Sequence, residues 1–397
     1  MYLFLLGRDP FLSKLEIAIY LNKQNISYSF ILQTEKYLIL DFNKDLDFKK
    51  IIYDLGGITR IVKILKKYNS SKDFDNKFID FIEYIDNKFN FSFSSIDASK
   101  DLMNEMEFFL KDFFKKEKIK AVYKKPRKHS EKEKNYIVNP DNFYSWKLDK
   151  KGFELFLIDY KNIIYVGQTI ACFNSNDLKF KDKNRPLKKE LYATSFRLVR
   201  IMINLLGLKE NQTFYDPFCG TGTFLIEGLF LKYNVIGSDK SSEMCQISKD
   251  NCNWIIKNFN LYNKNTFKII NRSSDQINFK ADGVCFEPYM GPFLNNLPND
   301  FRAKKIISNL NELYFKIFEN LSKNLKKGSK VVCVLPQLKT FEKTTYDINK
   351  NVYLENGFKF LDVSKIDDNM HLENPIFYST PKNKSKINRY ICIFEKI

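Results

Sequence analysis

The sequence predicts an α/β protein in which a small N-terminal α+β region precedes a mostly parallel sheet covered by helices. Three observations lead there. Residues 2–65 run strand, helix, strand, strand, helix, strand. From residue 213 onward, strands and helices alternate. Between them in importance, "FYDPFCGTGTFLIEG" (214–228) carries an apolar strand through Asp216, Gly220 and Gly222 into a helical run. The chain holds only 14 glycines in 397 residues, so two of them one residue apart mark a built turn.

In chain order, residues 2–6 read as a strand and "FLSKLEIAIYLNKQN" (11–25) as an amphipathic helix. Strands follow at 28–34 and 37–42, then a second helix, then the Gly-Gly turn and strand of "LGGITRIVKIL" (55–65). This β-α-β-β-α-β order is that of a ferredoxin-like sandwich and defines a first domain, 1–70. The polar stretch 66–77 marks a boundary. Helix 77–88, strand 89–95, helix 98–117, strand 120–125 and strands 153–159 and 163–171 make a second domain, 71–174. The basic run 175–192 reads as a linker, and 193–397 as a third domain opened by the amphipathic helix 193–208. Expected there are strand 213–216, helix 221–232, strand 234–238, helix 242–258, strands 266–270 and 283–287, helix 304–325 and strand 329–335. A terminal antiparallel pair, 358–366 and 389–397, closes the chain.

Composition narrows the function. Hydrophobic residues make up 44%, too many for a disordered chain. No run reaches the ~18–20 uncharged apolar residues that cross a bilayer. The apolar N-terminus lacks the basic start and small-residue cleavage site of a signal peptide. A cytoplasmic protein with no membrane partner is expected. Seven cysteines lie scattered without a CxxC pair, and His129 and His371 are the only histidines, so no metal is expected and Ser-His-Asp chemistry has little to work with. The net charge of +18 suits a polyanionic partner, because each neutralised phosphate releases counterions. An AT-rich genome also enriches Lys, Asn, Ile, Phe and Tyr, which makes charge a weak argument by itself.

A strand, a tight glycine turn and a helix start together hold nucleotide-like ligands, the glycines letting the backbone approach at the strand's carboxyl end. "NVIGSD" places Asp239 at the end of the next strand, near the ~20-residue spacing at which an acid holds ribose hydroxyls. Phe224 and Leu225 stand where the third glycine of GxGxxG would fall. Close approach of a pyrophosphate is therefore not required, and a ligand with ribose but no phosphate is favoured. S-adenosylmethionine fits, with its ammonium on Asp216, its ribose on Asp239, and Pro217, Phe218, Cys219, Gly220, Thr221 and Gly222 forming the loop. An unrelated nucleotide-binding Rossmann protein is the plainer alternative.

"DPFCGTGTFLIE" resembles the cofactor loop of amino-methyltransferases acting on nucleic acid, especially the tRNA guanine-N2 methyltransferases with an N-terminal THUMP domain, of the archaeal tRNA (guanine(10)-N2) type. The likeness covers nearly the whole chain: "MYLFLLGRDP" and "LGGITRIVKIL" resemble that family's ferredoxin-like domain, residues 77–173 its THUMP domain, and "KNRPLKKELYATSFRLVRIMINL" its linker and entry helix. The resemblance implies a Rossmann-like class I methyltransferase sheet with an antiparallel terminal strand pair. It also implies methyl transfer from S-adenosylmethionine to the N2 amine of a tRNA guanosine, position 10. Asp275 would accept the adenine N6 hydrogen, although a helix-capping aspartate is the bland reading. A small activator subunit is a candidate partner besides tRNA, and a monomer is expected rather than an obligate homo-oligomer.

Such enzymes carry Asp/Asn-Pro-Pro-Tyr/Phe after the fourth strand; here the segment is "GVCFEPYMGP" (283–292). An exocyclic purine amine is a poor nucleophile because its lone pair is delocalised. A carboxylate and a carbonyl that accept its two N–H bonds favour the pyramidal amine of the transition state. Glu287 would be the carboxylate, the Pro288 carbonyl the second acceptor, and Tyr289 the ring stacked on the base. The motif departs from the family pattern. Aligned without a gap, Tyr289 falls on the second proline and Met290 on the aromatic; aligned on Pro-Tyr, Phe286 falls on the acid. The ungapped form keeps an acid and the trailing glycine. The departure leaves the number and identity of methylated atoms open.

Basic residues flank strand 120–125, and in the THUMP-like context Lys124, Lys125, Arg127 and Lys128 are expected to contact phosphates, with Arg185, Lys188 and Lys189 as a second patch. A solvated face, or an N-terminal half used for dimerisation, is the alternative. Competing functions are methylation of another RNA guanine or of DNA adenine N6, and RNA binding by a vestigial methyltransferase. Reversing Lys125 and Arg127 to Glu should weaken tRNA binding and flatten its salt dependence while leaving cofactor binding unchanged; a parent-like salt slope would mark these charges as mere solvation.

Overall fold

The computed structural model describes residues 1–82, 88–125, 135–187, 194–261, 266–276, 278–372, 376–378 and 386–397. Two compact units emerge: residues 1–10, 27–54 and 58–177, and residues 11–26, 55–57 and 178–397.

The first unit is built on one eight-stranded sheet. Its strands are β1 (Tyr2–Leu6), β2 (Ser29–Gln33), β3 (Tyr37–Asp41), β4 (Ile58–Tyr68), β5 (Lys88–Ile96), β6 (Lys120–Tyr123), β7 (Gly152–Tyr160) and β8 (Ile163–Cys172). Along the chain, α1 (Pro10–Lys23), whose residues from 11 on belong to the second unit, follows β1, while α2 (Phe48–Asp54) precedes β4, α3 (Lys100–Lys116) precedes β6 and α4 (Pro140–Ser145) precedes β7. The sheet order β2-β3-β1-β4-β8-β7-β5-β6 begins with the ferredoxin-like arrangement read from the sequence. It then continues without a break, because β4 pairs antiparallel with β8 from Arg60↔Cys172 to Tyr68↔Ile164. β4 therefore runs three residues past its expected end. Its extension is held by Tyr68, which packs into the phenylalanine-rich core, and by Lys66, which pairs with Asp75. In place of the helix expected over 77–88, a short 3-10 turn covers Asn76–Phe81, and residues 83–87 lie outside the described residues.

Arg60 and Glu154 form a buried ion pair inside this sheet, with Nε donating to Oε2 at 2.9 Å. The guanidinium also donates to the Val138 carbonyl, and Glu154 accepts from Ser94 and Thr169, so both charges are fully engaged.

The second unit carries the alternation expected from residue 213. After α5 (Ser175–Asn184) and α6 (Phe196–Leu205) come β9 (Thr213–Asp216), α7 (Thr223–Phe230), β10 (Asn234–Asp239), α8 (Ser242–Asn258), β11 (Phe267–Asn271), β12 (Gly283–Phe286), α9 (Asp300–Asn324) and β13 (Lys330–Lys339). β14 (Thr345–Asp347), β15 (Phe358–Phe360), β16 (Ile376–Tyr378) and β17 (Ile387–Lys396) complete it. The main order is β11-β10-β9-β12-β13-β17-β15, with β9 to β13 parallel and β17 antiparallel between β13 and β15. The central strands are apolar on both faces, as β12 "GVCF" and the "VVCVL" of β13 are, because helices cover both sides.

The segment read as a linker is helical over its first ten residues. Its Lys181 is buried and pairs with the buried Glu227 of α7, which Arg200 of α6 also contacts. Burial alone would push the Glu227 carboxyl up; the two cations hold it below its ordinary range. With so few apolar residues the segment shows no helical stripe, and its anchor is a charge.

Replacing Arg60 by Met should leave Glu154 buried without its counter-charge and cost about 3–5 kcal/mol of stability in urea denaturation. Replacing both by apolar residues should recover most of that loss, and equal losses in the single and double variants would refute the pairing.

Candidate active site

The order of the second sheet reverses at β9, which pairs in parallel with β10 on one edge and β12 on the other. Open α/β sheets bind ligands outside the carboxyl ends of their strands at such a switch point. Asp216 is the last residue of β9, Asp239 the last of β10, and Glu287 follows the last residue of β12. Asp275 lies in the turn after β11. The fold thus brings four acids read from separate motifs to one edge of the sheet.

The glycine turn is built as its sequence requires. Gly220 and Gly222 have φ of 48° and 83°, left-handed values that side chains disfavour. A Cβ on Gly222 would also lie 2.6 Å from the Ser248 hydroxyl. Gly222 caps α7, the Cys219 N–H donates to the Ser238 carbonyl at 2.9 Å, and the Asn251 amide donates to the Thr221 carbonyl at 2.8 Å. Asp239 accepts from the Gly220 N–H at 3.1 Å and the Ser241 N–H at 2.9 Å, tying the loop to the neighbouring strand. Pro217 is buried, and Phe218 stacks on Phe286 with centroids 5.7 Å apart.

Asp216 is 1% exposed. Its Oδ1 accepts from the Phe218 N–H at 2.9 Å, whereas its buried Oδ2 has no hydrogen-bond partner among the described residues. Burial, with the nearby Asp239 charge adding to it, raises its pKa to about 8. Asp275 likewise has a buried Oδ1 without a partner, and no helix begins there, so the helix-capping alternative does not describe it. An orphaned buried acceptor needs an explanation, and a cationic or N–H donor ligand supplies one.

Glu287 is held by two residues that the sequence did not single out. One oxygen accepts from the Thr194 hydroxyl, and the other lies 3.5 Å from Arg389 Nε of β17, an ion pair without hydrogen-bond geometry. Arg389 stands alone in a terminal strand, and only the insertion of β17 beside β13 brings it to the site. Pro288 is buried and Tyr289 is 55% exposed, its carbonyl accepting from the Tyr314 hydroxyl at 2.8 Å.

The expected phosphate contacts fare differently. Lys124 is tied through its backbone to Phe91 and Ser92, and the exposed Lys125 lies near Glu107. Arg185 is corrected: it is 5% exposed, donates to the Thr223 hydroxyl at 3.0 Å and packs over Phe196, so it presents no charge to a polyanion. Arg127, Lys128, Lys188 and Lys189 lie outside the described residues. Among the described residues no acidic, cysteine or histidine cluster could hold a metal, and no helix is long and apolar enough to cross a membrane.

Topology and site together define a Rossmann-like α/β domain with a candidate ligand site where its strand order reverses. Residues 192–282 match the UPF0020 family, described as an RMKL-like methyltransferase domain. The chain is similar to tRNA (guanine(10)-N2)-dimethyltransferases: it is 28% identical over 219 residues to that of Methanocaldococcus jannaschii, covering 52% of this chain and 57% of that protein. It is 26% identical to that of Methanothermobacter thermautotrophicus, over 38% of this chain and 42% of the relative. The chain thus spans about half the length of these curated relatives. Its fold is like that of TrmN from Thermus thermophilus, with a TM-score of 0.54 at 10% identity over 100% of this chain and 99% of the other.

The folded-state pKa of Asp216 lies above its unfolded value, so its contribution to stability is full below about pH 4 and is lost as pH rises through about 8. Asp216→Asn stays neutral throughout. The ligand-free variant should be the more stable protein at pH 8–9, by an order of several kcal/mol, with the gap closing toward pH 4. Melting curves with a constant gap across that range would rule out a buried proton on Asp216.

Proposed function

We propose that the protein is an S-adenosylmethionine-dependent methyltransferase acting on the exocyclic N2 amine of a guanosine in tRNA. The observation that carries this reading is the orphaned, buried Oδ2 of Asp216 beside a left-handed glycine turn, with Glu287 across the strand-order switch. Position 10 is the target in the relatives' names and is the target proposed here.

The residues fit this cofactor. Asp216 would take its ammonium, which relieves the buried carboxylate; Asp239 would take the ribose hydroxyls; and the orphaned Asp275 Oδ1 would accept from the adenine amine. When bound, S-adenosylmethionine supplies an electrophilic methyl on a sulfonium. The protein's own task is to make the guanine amine nucleophilic. Glu287 accepts one amine N–H and the Pro288 carbonyl the other, which localises the nitrogen lone pair as positive charge develops. Tyr289, exposed at the mouth of the site, stacks on the base and fixes its distance. Thr194 and Arg389 orient the Glu287 carboxylate. Residues 71–174 are proposed as the THUMP-like RNA-binding part, with Lys125 among its phosphate contacts. The seven thiols, all free, fit action in a reducing cytoplasm.

Engagement of both Glu287 oxygens by Thr194 and Arg389 favours one second reading, an RNA-binding protein whose methyltransferase domain is vestigial. Single-turnover methyl transfer with tRNA and cofactor saturating separates the two. Glu287→Gln should slow transfer about 10²–10³-fold with little change in binding of either ligand. A variant within a few-fold of the parent moves the catalytic role elsewhere, and a parent that methylates no tRNA supports the vestigial reading.

A further inference from the structure

Beside the catalytic loop lies a cleft of 340 Å³ whose wall includes Tyr289, Pro292, Arg302, Lys305, Ile306 and Leu310. This volume falls in the range of small-ligand sites, about 300–1,000 Å³. Its floor is apolar, since Ile306 and Leu310 are buried. Next to the lining residues in sequence stand Phe293, 84% exposed, and Phe301, 80% exposed. Core packing accounts for neither ring.

The charges at the cleft are equally unexplained by folding. Arg302 and Lys305 occupy the first turns of α9, where the helix dipole disfavours cations. Among the described residues no carboxylate pairs with Arg302 or Lys305. Unpaired cations beside an exposed aromatic ring, here Tyr289 in the cleft wall with Phe293 and Phe301 adjoining the lining in sequence, are the two components of a single-stranded nucleic-acid groove: charge tracks the backbone, and rings stack on bases. A protein partner would be the ordinary occupant of an exposed apolar patch, but protein interfaces deplete lysine, whereas two unpaired cations complement a phosphate.

We propose that this cleft is a subsite for an RNA nucleotide adjoining the one presented to Glu287, a proposal that rests on the RNA-methylating reading above. The phosphate sits on Arg302 and Lys305, and the base stacks against the ring face offered by Phe293 and Phe301. Tyr289 then stands between two subsites: one face serves the target base, and its other contacts form the cleft wall. The register of the substrate strand is set at the active site itself as well as by distant contacts.

The test uses the full chain and unfractionated tRNA, titrated by fluorescence anisotropy over a series of salt concentrations. Charge reversal in Arg302→Glu/Lys305→Glu should weaken binding at least tenfold and lower the salt slope by about 1–2. Phe293→Ala/Phe301→Ala should weaken binding about five- to tenfold with the slope unchanged. Circular dichroism melting checks that each variant folds, and Arg302→Gln/Lys305→Gln replaces the reversed pair if it does not. Parent-like affinity and slope in both sets overturn the subsite. If the parent still methylates tRNA in that case, the proposed function stands without the subsite. A parent that neither binds nor methylates RNA overturns both.

Discussion

Strand β9 carries the constraint on which the site depends. It is paired in parallel on both edges, so its last residue, Asp216, emerges at the centre of the sheet where the strand order reverses. A carboxylate there loses its water on folding and gains a single backbone N–H in return. Folding alone would select an apolar residue at this position. The retained acid is the kind of local inconsistency that functional sites show.

The surrounding loop is assembled before any ligand arrives. Asp239 clamps the Gly220 N–H, Ser238 receives the Cys219 N–H, and Asn251 fixes the Thr221 carbonyl. Few conformations remain to be lost on binding, which reduces the entropic cost of association. The same clamp brings the Asp239 charge toward Asp216 and adds to the rise in its pKa. One contact therefore both builds the loop and disfavours the ionised form of Asp216.

Much of this was legible because it is local. Glycines one residue apart, an acid at the end of each flanking strand and the βαβ rhythm are patterns within a few tens of residues, and the acids at 216, 239, 275 and 287 all reach one edge of the sheet. What escaped was long-range. Thr194 and Arg389 lie 93 and 102 residues from Glu287 and carry no motif. Arg185 looks like a surface cation in a basic run, but its guanidinium is covered by Phe196 and bonded to Thr223. Lys181 sits in a segment without an apolar stripe, and the buried Glu227 is what recruits it. Hydrophobic periodicity cannot report an element whose anchor is electrostatic. The continuation of the first sheet from β4 into β8 was invisible for a related reason: each strand reads the same whether its neighbour belongs to one domain or to the next.

The assignment of residues 11–26 and 55–57 to the second unit has a consequence for how the chain comes off the ribosome. The carboxylate of Glu16 on α1 accepts from the N–H groups of Gly56 and Gly57 at 2.8 and 2.6 Å, and from the Asn204 amide at 2.7 Å. The Gly56 carbonyl in turn accepts from Arg197, and neither glycine has room for a Cβ. Glu16 and Asn204 are 188 residues apart, so at about 5–20 residues per second the first waits roughly 10–40 s for the second to be synthesised. During that interval the Glu16 carboxylate lacks its Asn204 partner. The birth order of the chain thus sets a window in which chaperone capture competes with folding, and it stays open at least until the entry helix of the second unit is complete.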